Sequence, residues 1–217
     1  MKDGEVQLEV TPELLLRAYA AGVFPMAEAA DSDEIFWVEP RRRGILPLDG
    51  FHLSRSLRKR LKREDYVVRV DTAFEEVLEA CADRSETWIN PQIASLYGAL
   101  HRMGRAHSVE VWMGGRLAGG LYGVCLGGAF FGESMFSHLR DSSKIALVHL
   151  VARLRLGGFL LLDTQFTTEH LESLGAVTVS RRTYRALLDE ALGLDAQFDV
   201  AMPDQPSAVV QLLSQTS

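Results

Sequence analysis

Two acidic side chains close short apolar runs: Glu133 in "GGAFFGESMFS" and Asp163 in "FLLLDTQF". Such runs read as buried strands, and burying an ionisable group is costly unless the group is bonded or used. Carboxylates at the C-terminal ends of neighbouring strands can serve as an acid/base pair whose pKa values are held apart by their surroundings. Gln165 follows Asp163 by two positions, so in extended chain both would point to the same side, toward one reacting amine and carbonyl. Glu133, beside Ser134, is then expected to bind an ammonium group or a hydroxyl. A simpler alternative stands beside this: Asp163 caps the turn that follows it, and Glu133 pairs with an arginine such as Arg140.

Other chemistry finds less support. The six histidines form no HExxH, and Cys81 and Cys125 form no CxxC, so neither a metal nor a cofactor is expected. Both cysteines lie in apolar patterns, without a disulfide framework.

The elements that must position these residues alternate along the chain. "TPELLLRAYAAG" is expected as a helix, with Thr11 as cap, Pro12 at its first position and Gly22 as its stop. "EIFWV" and "GILPL" read as short strands, "SRSLRKRLKRE" as a helix starting near Ser54, and "YVVRV" as a strand. "AFEEVLEACA" and Pro91 to Met103 read as helices. The second half is more regular. "HSVEVWM" and "RLAGGLYGVCL" form a hairpin across Gly114-Gly115, and a third strand, "GGAFFGE", ends at Glu133. "DSSKIALVHLVARLRLGG" is a helix with Ile145, Val148 and Val151 on its apolar face; "FLLLDTQF" is a strand covered on both sides. A helical turn "TEHLESLG", a strand "AVTVS" and a helix "RTYRALLDEAL" complete the pattern, and the chain after Leu194 is expected to be loosely ordered.

This α/β (α+β) succession resembles the mixed, largely antiparallel sheet of GNAT-like acyltransferases, whose chemistry sits where central strands splay. We expect an N-terminal lobe with a basic helix over residues 1–65, a GNAT-like catalytic domain over 66–195 and a tail over 196–217. An acyl-CoA donor would need a glycine-rich loop entering the helix after the third strand. The junction here is "ESMFSHLRDSSK", which has no such glycines, so acyl-CoA is not the expected donor.

Charge supplies another handle. The chain carries a net −6, yet Arg41, Arg42, Arg43, Arg55, Arg58, Lys59, Arg60, Lys62 and Arg63 outweigh the single acid Asp49 between residues 41 and 63. A basic stripe on an acidic body can dock a polyanion while the rest of the surface repels it; a solvated helix face weighs equally on charge alone. No stretch approaches the roughly 18 unbroken apolar residues that cross a bilayer. "MKDGEVQLEV" has no signal-peptide core, so a cytoplasmic protein without a membrane partner is expected.

Nine stretches then fall into one family's order and spacing: "ELLLRAYAAGVFPM", "HLSRSLRK", "TWINPQI", "AHSVEVW", "GGLYGV", "FFGESMFS", "SSKIAL", "LLDTQF" and "SLGA". Across roughly Thr11 to Leu194 the chain resembles the leucyl/phenylalanyl-tRNA–protein transferases. The resemblance implies transfer of Leu or Phe, less efficiently Met, from aminoacyl-tRNA to proteins that begin with Arg or Lys, as a step of bacterial protein degradation. It makes Asp163 the catalytic aspartate, Gln165 its companion amide and Glu133 a site glutamate. It places Trp88, Leu121, Ser134, Met135 and Leu150 at the substrate pocket. Trp37 matches the first of two adjacent tryptophans in many members; the second is replaced by Val38, which removes an aromatic surface. The basic residues between 41 and 63 would bind tRNA, and a monomer is expected. Two rivals remain at this point: a related aminoacyl-tRNA-dependent transferase with another acceptor, such as an acidic N-terminus or a cell-wall peptide, and a catalytically silent tRNA-binding module.

Overall fold

Apolar strands of the second half frame the molecule. In the computed structural model, which describes residues 10–32, 34–63, 65–203 and 205–214, β5 (Ala106–Met113), β6 (Arg116–Leu126) and β7 (Ala129–Ser137) form an antiparallel meander. The acidic N-terminus, residues 1–9, lies outside the described residues. Helix α5 (Ser142–Leu156) crosses over to β8 (Leu161–Gln165), which pairs parallel to β7. The sheet is extended by β4 (Val67–Val70) at one edge and by β3 (Arg42–Ile45) and β9 (Val177–Ser180) at the other. The strand order is β4-β5-β6-β7-β8-β3-β9. A separate pair, β1 (Phe24–Met26) and β2 (Phe36–Val38), lies outside this sheet.

Both faces are covered, as the continuous apolar runs require. Phe130 and Leu162 pack against Ile145, Val148 and Val151 of α5. Their neighbours Phe131 and Leu161 point to the opposite face. There they meet α1 (Pro12–Ala20), α3 (Phe74–Ala82), α4 (Pro91–Arg102) and α7 (Arg181–Leu192). The caps follow the sequence: Thr11, Ser54, Asn90 and Ser180 accept from backbone amides at the starts of α1, α2 (Arg55–Leu61), α4 and α7.

Two expectations change here. The boundary expected at residue 65 does not follow the sheet, because β3 lies inside it between β8 and β9. The described residues after Leu194 are not loose either. Phe198 is buried, stacking on Phe130, and α8 (Pro206–Ser214) packs Val209, Val210 and Leu213 into the core beside α5. The carboxylate of Glu110, fully buried in β5, is a structural one: it accepts the backbone amides of Thr72 and Ala73, both at 2.8 Å, ahead of α3.

Candidate active site

A fault in the ladder sets Glu133 apart. β6 and β7 pair Tyr122 with Ser134 and Gly123 with Gly132, so Glu133 is the extra residue of a β-bulge. The expected strand end is therefore a bulge within a strand that runs on to Ser137. Gly123 permits it, since a Cβ there would lie 2.3 Å from the Phe131 carbonyl oxygen. Arg140 does not pair with Glu133; it is 95% exposed beside Asp141.

The Glu133 carboxylate accepts from the Tyr19 hydroxyl of α1 at 2.8 Å, from the Tyr97 hydroxyl of α4 at 2.7 Å, and from Gln165 Nε2 at 3.2 Å. The two tyrosine hydroxyls are themselves 2.7 Å apart. The ring formed by the two phenols and the carboxyl needs a hydrogen for each of its three links, and the phenols bring one apiece. A protonated Glu133 brings the last by donating from Oε2 to Tyr97, which then donates to Tyr19, while Tyr19 donates to Oε1. Burial pushes the carboxyl up to about 7, the Tyr97 and Tyr19 hydrogen bonds pull it back, and the charge of Asp163 raises it further. Glu133 thus exchanges its proton near neutrality, where an acid/base or ammonium-binding group is most useful.

Asp163 stands elsewhere. It is 0% exposed, and its oxygens accept from Arg43 Nε at 2.9 Å and Nη2 at 2.6 Å, from the Tyr184 hydroxyl at 2.8 Å and from the Gln165 backbone amide at 2.8 Å. Gln165 has φ +55°, so the extended backbone on which the same-side expectation rested is not kept at this residue. Asp163 therefore does cap its own turn, and it lies behind Gln165 rather than in the cavity wall. The amide of Gln165 turns its nitrogen to Glu133, leaving Oε1 without a partner among the described residues.

A cavity of about 350 Å³ opens at this point, within the range of small-ligand sites (roughly 300–1,000 Å³). The expected residues Trp88, Leu121, Ser134, Met135 and Leu150 all line it, together with Glu133 and Gln165. Its wall also takes Phe24 and Met26 from β1, which the sequence did not point to. Trp37 and Val38 are not in the wall. They pair with Pro25 and Phe24 behind it, and Trp37 is 38% exposed. Tyr19 and Tyr97 were also missed, because both sit on apolar helix faces where an aromatic reads as core. Their hydroxyls, buried among apolar neighbours and in need of a partner, were the available signal.

The model of the leucyl/phenylalanyl-tRNA protein transferase family matches residues 45–189, and that of the family's N-terminal domain matches residues 9–41. The chain belongs to the leucyl/phenylalanyl-tRNA protein transferase family of aminoacyltransferases. It is 56% identical over 210 residues to the leucyl/phenylalanyl-tRNA–protein transferase of Ruegeria pomeroyi, across 97% of this chain and 100% of that protein. It is 58% identical over 212 residues to that of Cereibacter sphaeroides, across 96% and 98%. Among solved structures, FemX is similar with a TM-score of 0.50 at 13% identity, over 79% of this chain and 68% of that one. That likeness shows the GNAT-like fold alone.

In this transferase the basic run does not form one stripe. Arg43 is 1% exposed and bound to Asp163, so it is withdrawn from any polyanion-docking surface. Arg41 and Arg42 are exposed at the start of β3, apart from the helix. On α2 and just after it, Arg55, Lys59, Lys62 and Arg63 are exposed. Arg58 and Arg60 are half-buried, donating to Ser214 at 3.1 Å and Asp65 at 2.5 Å. Among the described residues no helix is long and apolar enough to cross a membrane.

Proposed function

We propose that this transferase moves leucine or phenylalanine, and less efficiently methionine, from aminoacyl-tRNA to the N-terminal arginine or lysine of acceptor proteins, marking them for degradation. It does so as a cytoplasmic monomer. The observation that carries this reading is the cavity: an apolar wall of Leu121, Met135 and Leu150 beside Glu133, whose carboxyl is poised near 7. Such a wall separates Leu and Phe from polar side chains but distinguishes similar apolar ones by only about 1–3 kcal/mol, which accounts for the tolerance of Met.

The donor's side chain enters the wall and its ammonium group meets Glu133. The acceptor amine attacks the ester carbonyl, forming the C–N bond. The ester C–O bond breaks, and the proton shed by the amine ends on the departing ribose hydroxyl. An aminoacyl ester is already activated, and an α-amine has a pKa of about 7.7–8.0, so little base strength is needed. Positioning carries most of the acceleration. Gln165 Oε1 accepts from the attacking amine and orients it. The exposed cations of α2 hold the tRNA. The test is transfer of labelled Leu from charged tRNA to peptides that differ only in their first residue. Transfer to Arg and Lys peptides is the expected result; transfer to acidic N-termini, or to none, overturns the reading.

A further inference from the structure

We propose that Arg43 is a positioning residue of the transfer step, holding the Gln165 amide in place through Asp163. The inference rests on the role given to Gln165 under the proposed function.

Arg43 reaches four groups. Its Nε and Nη2 clasp both oxygens of Asp163, and its Nη1 donates to the Gly22 carbonyl at 3.1 Å. Its guanidinium lies between the rings of Phe24 and Tyr184, 4.4 Å and 4.6 Å from their centroids. One flat cation thus fixes Asp163 against the segment that supplies the cavity wall, since Phe24 lines the cavity. Asp163 in turn holds the Gln165 backbone amide at 2.8 Å. That bond supports the left-handed backbone that sends the side chain toward Glu133.

A purely stabilising role explains this arrangement poorly. Replacing a buried ion pair by apolar side chains of similar volume is often neutral or stabilising, so the pair is weak evidence of a stability device. Its fork geometry does set direction, which a point charge does not. Tyr184 adds a further donor from α7, so elements far apart in sequence converge on one carboxylate whose remaining valence is taken by Gln165.

The test compares single-turnover transfer at saturating donor, and donor KM, in Arg43→Lys, Gln165→Met and the double variant. Arg43→Lys keeps the charge and loses the fork. It should slow transfer by about ten- to a hundredfold, the scale of a positioned group displaced by about 1 Å. Donor KM should change by less than about twofold, and in the Gln165→Met background the same change should slow transfer by less than about twofold. An equal loss in both backgrounds, or a lowered Tm with wild-type turnover per folded molecule, makes Arg43 structural and overturns the proposal. Wild-type turnover of Gln165→Met alone sinks the role of Gln165 itself, and the inference with it. If Arg43→Lys does not fold, Tyr184→Phe replaces it. That change leaves the ion pair intact and should slow transfer several-fold, again only while Gln165 is present.

Discussion

Replacing Glu133 by glutamine should stabilise the protein, and should do so more as pH rises. The carboxyl sits at about 7 against an ordinary 4.5. Between those values the folded chain keeps a proton that the unfolded chain has released, so stability falls as pH rises through the window. At about 1.4 kcal/mol per pH unit, the whole interval is worth about 3 kcal/mol, fully expressed above pH 7 and absent below about 4.5. Glutamine does not titrate, so its variant avoids that loss. It can also keep the hydrogen-bonded ring: Oε1 accepts from Tyr19, Nε2 donates to Tyr97, and Tyr97 donates to Tyr19 across the 2.7 Å between their hydroxyls. Denaturant midpoints of both proteins, measured from about pH 5 to about pH 8, give the difference directly. It should widen with pH by about 2–3 kcal/mol over that range. A difference that stays flat would refute the argument that burial holds a proton on Glu133.

Other outcomes follow from the same geometry. Arg55→Gln, Lys59→Gln and Lys62→Gln together should weaken tRNA binding without changing preference among amino acids. The slope of log affinity against log salt should fall by about one unit for each phosphate that no longer meets a cation. Met135→Trp should exclude Phe before Leu by filling the cavity, while tRNA affinity stays; equal loss of both donors would mark Met135 as general core. Gly44→Ala would place a Cβ 2.6 Å from the Phe166 backbone, so it should cost about 1–3 kcal/mol in a denaturation experiment and slow transfer by displacing the Gln165 turn. Donor affinity should rise with pH through about 7 as Glu133 ionises to meet the ammonium group, and that rise should vanish in Glu133→Gln.

Much of this site was legible in the sequence, and the misses have physical causes. Period-2 and period-3.6 patterns located β5 to β8 and α5, because burial on one or both faces dictates residue type directly. The cavity residues Trp88, Leu121, Ser134, Met135 and Leu150 were named through the family motifs rather than through pattern, since an apolar wall and an apolar core look alike. Arg43 was hidden by its neighbours. In "RRR" nothing distinguishes the arginine that β3 turns inward from the two left in solvent, and the partner that decides it is 120 residues away. The bulge at Glu133 and the left-handed Gln165 are departures from regular backbone, which periodicity cannot register. The order of the C-terminal segment was missed because Val209, Val210 and Leu213 form too short a stripe to announce a helix that is stabilised by α5.

The most direct test sets Asp163→Asn beside Glu133→Gln in single-turnover transfer of labelled Leu from charged tRNA to an Arg-initiated peptide, with donor affinity measured for each. If Gln165, held by Asp163, orients the attacking amine while Glu133 holds the donor, Asp163→Asn should bind donor normally and transfer slower by a factor on the order of 10² or more. Glu133→Gln should bind donor weakly and recover most of its transfer rate once donor is saturating. Near-normal transfer by Asp163→Asn, with Glu133→Gln inactive even at saturation, would contradict the account.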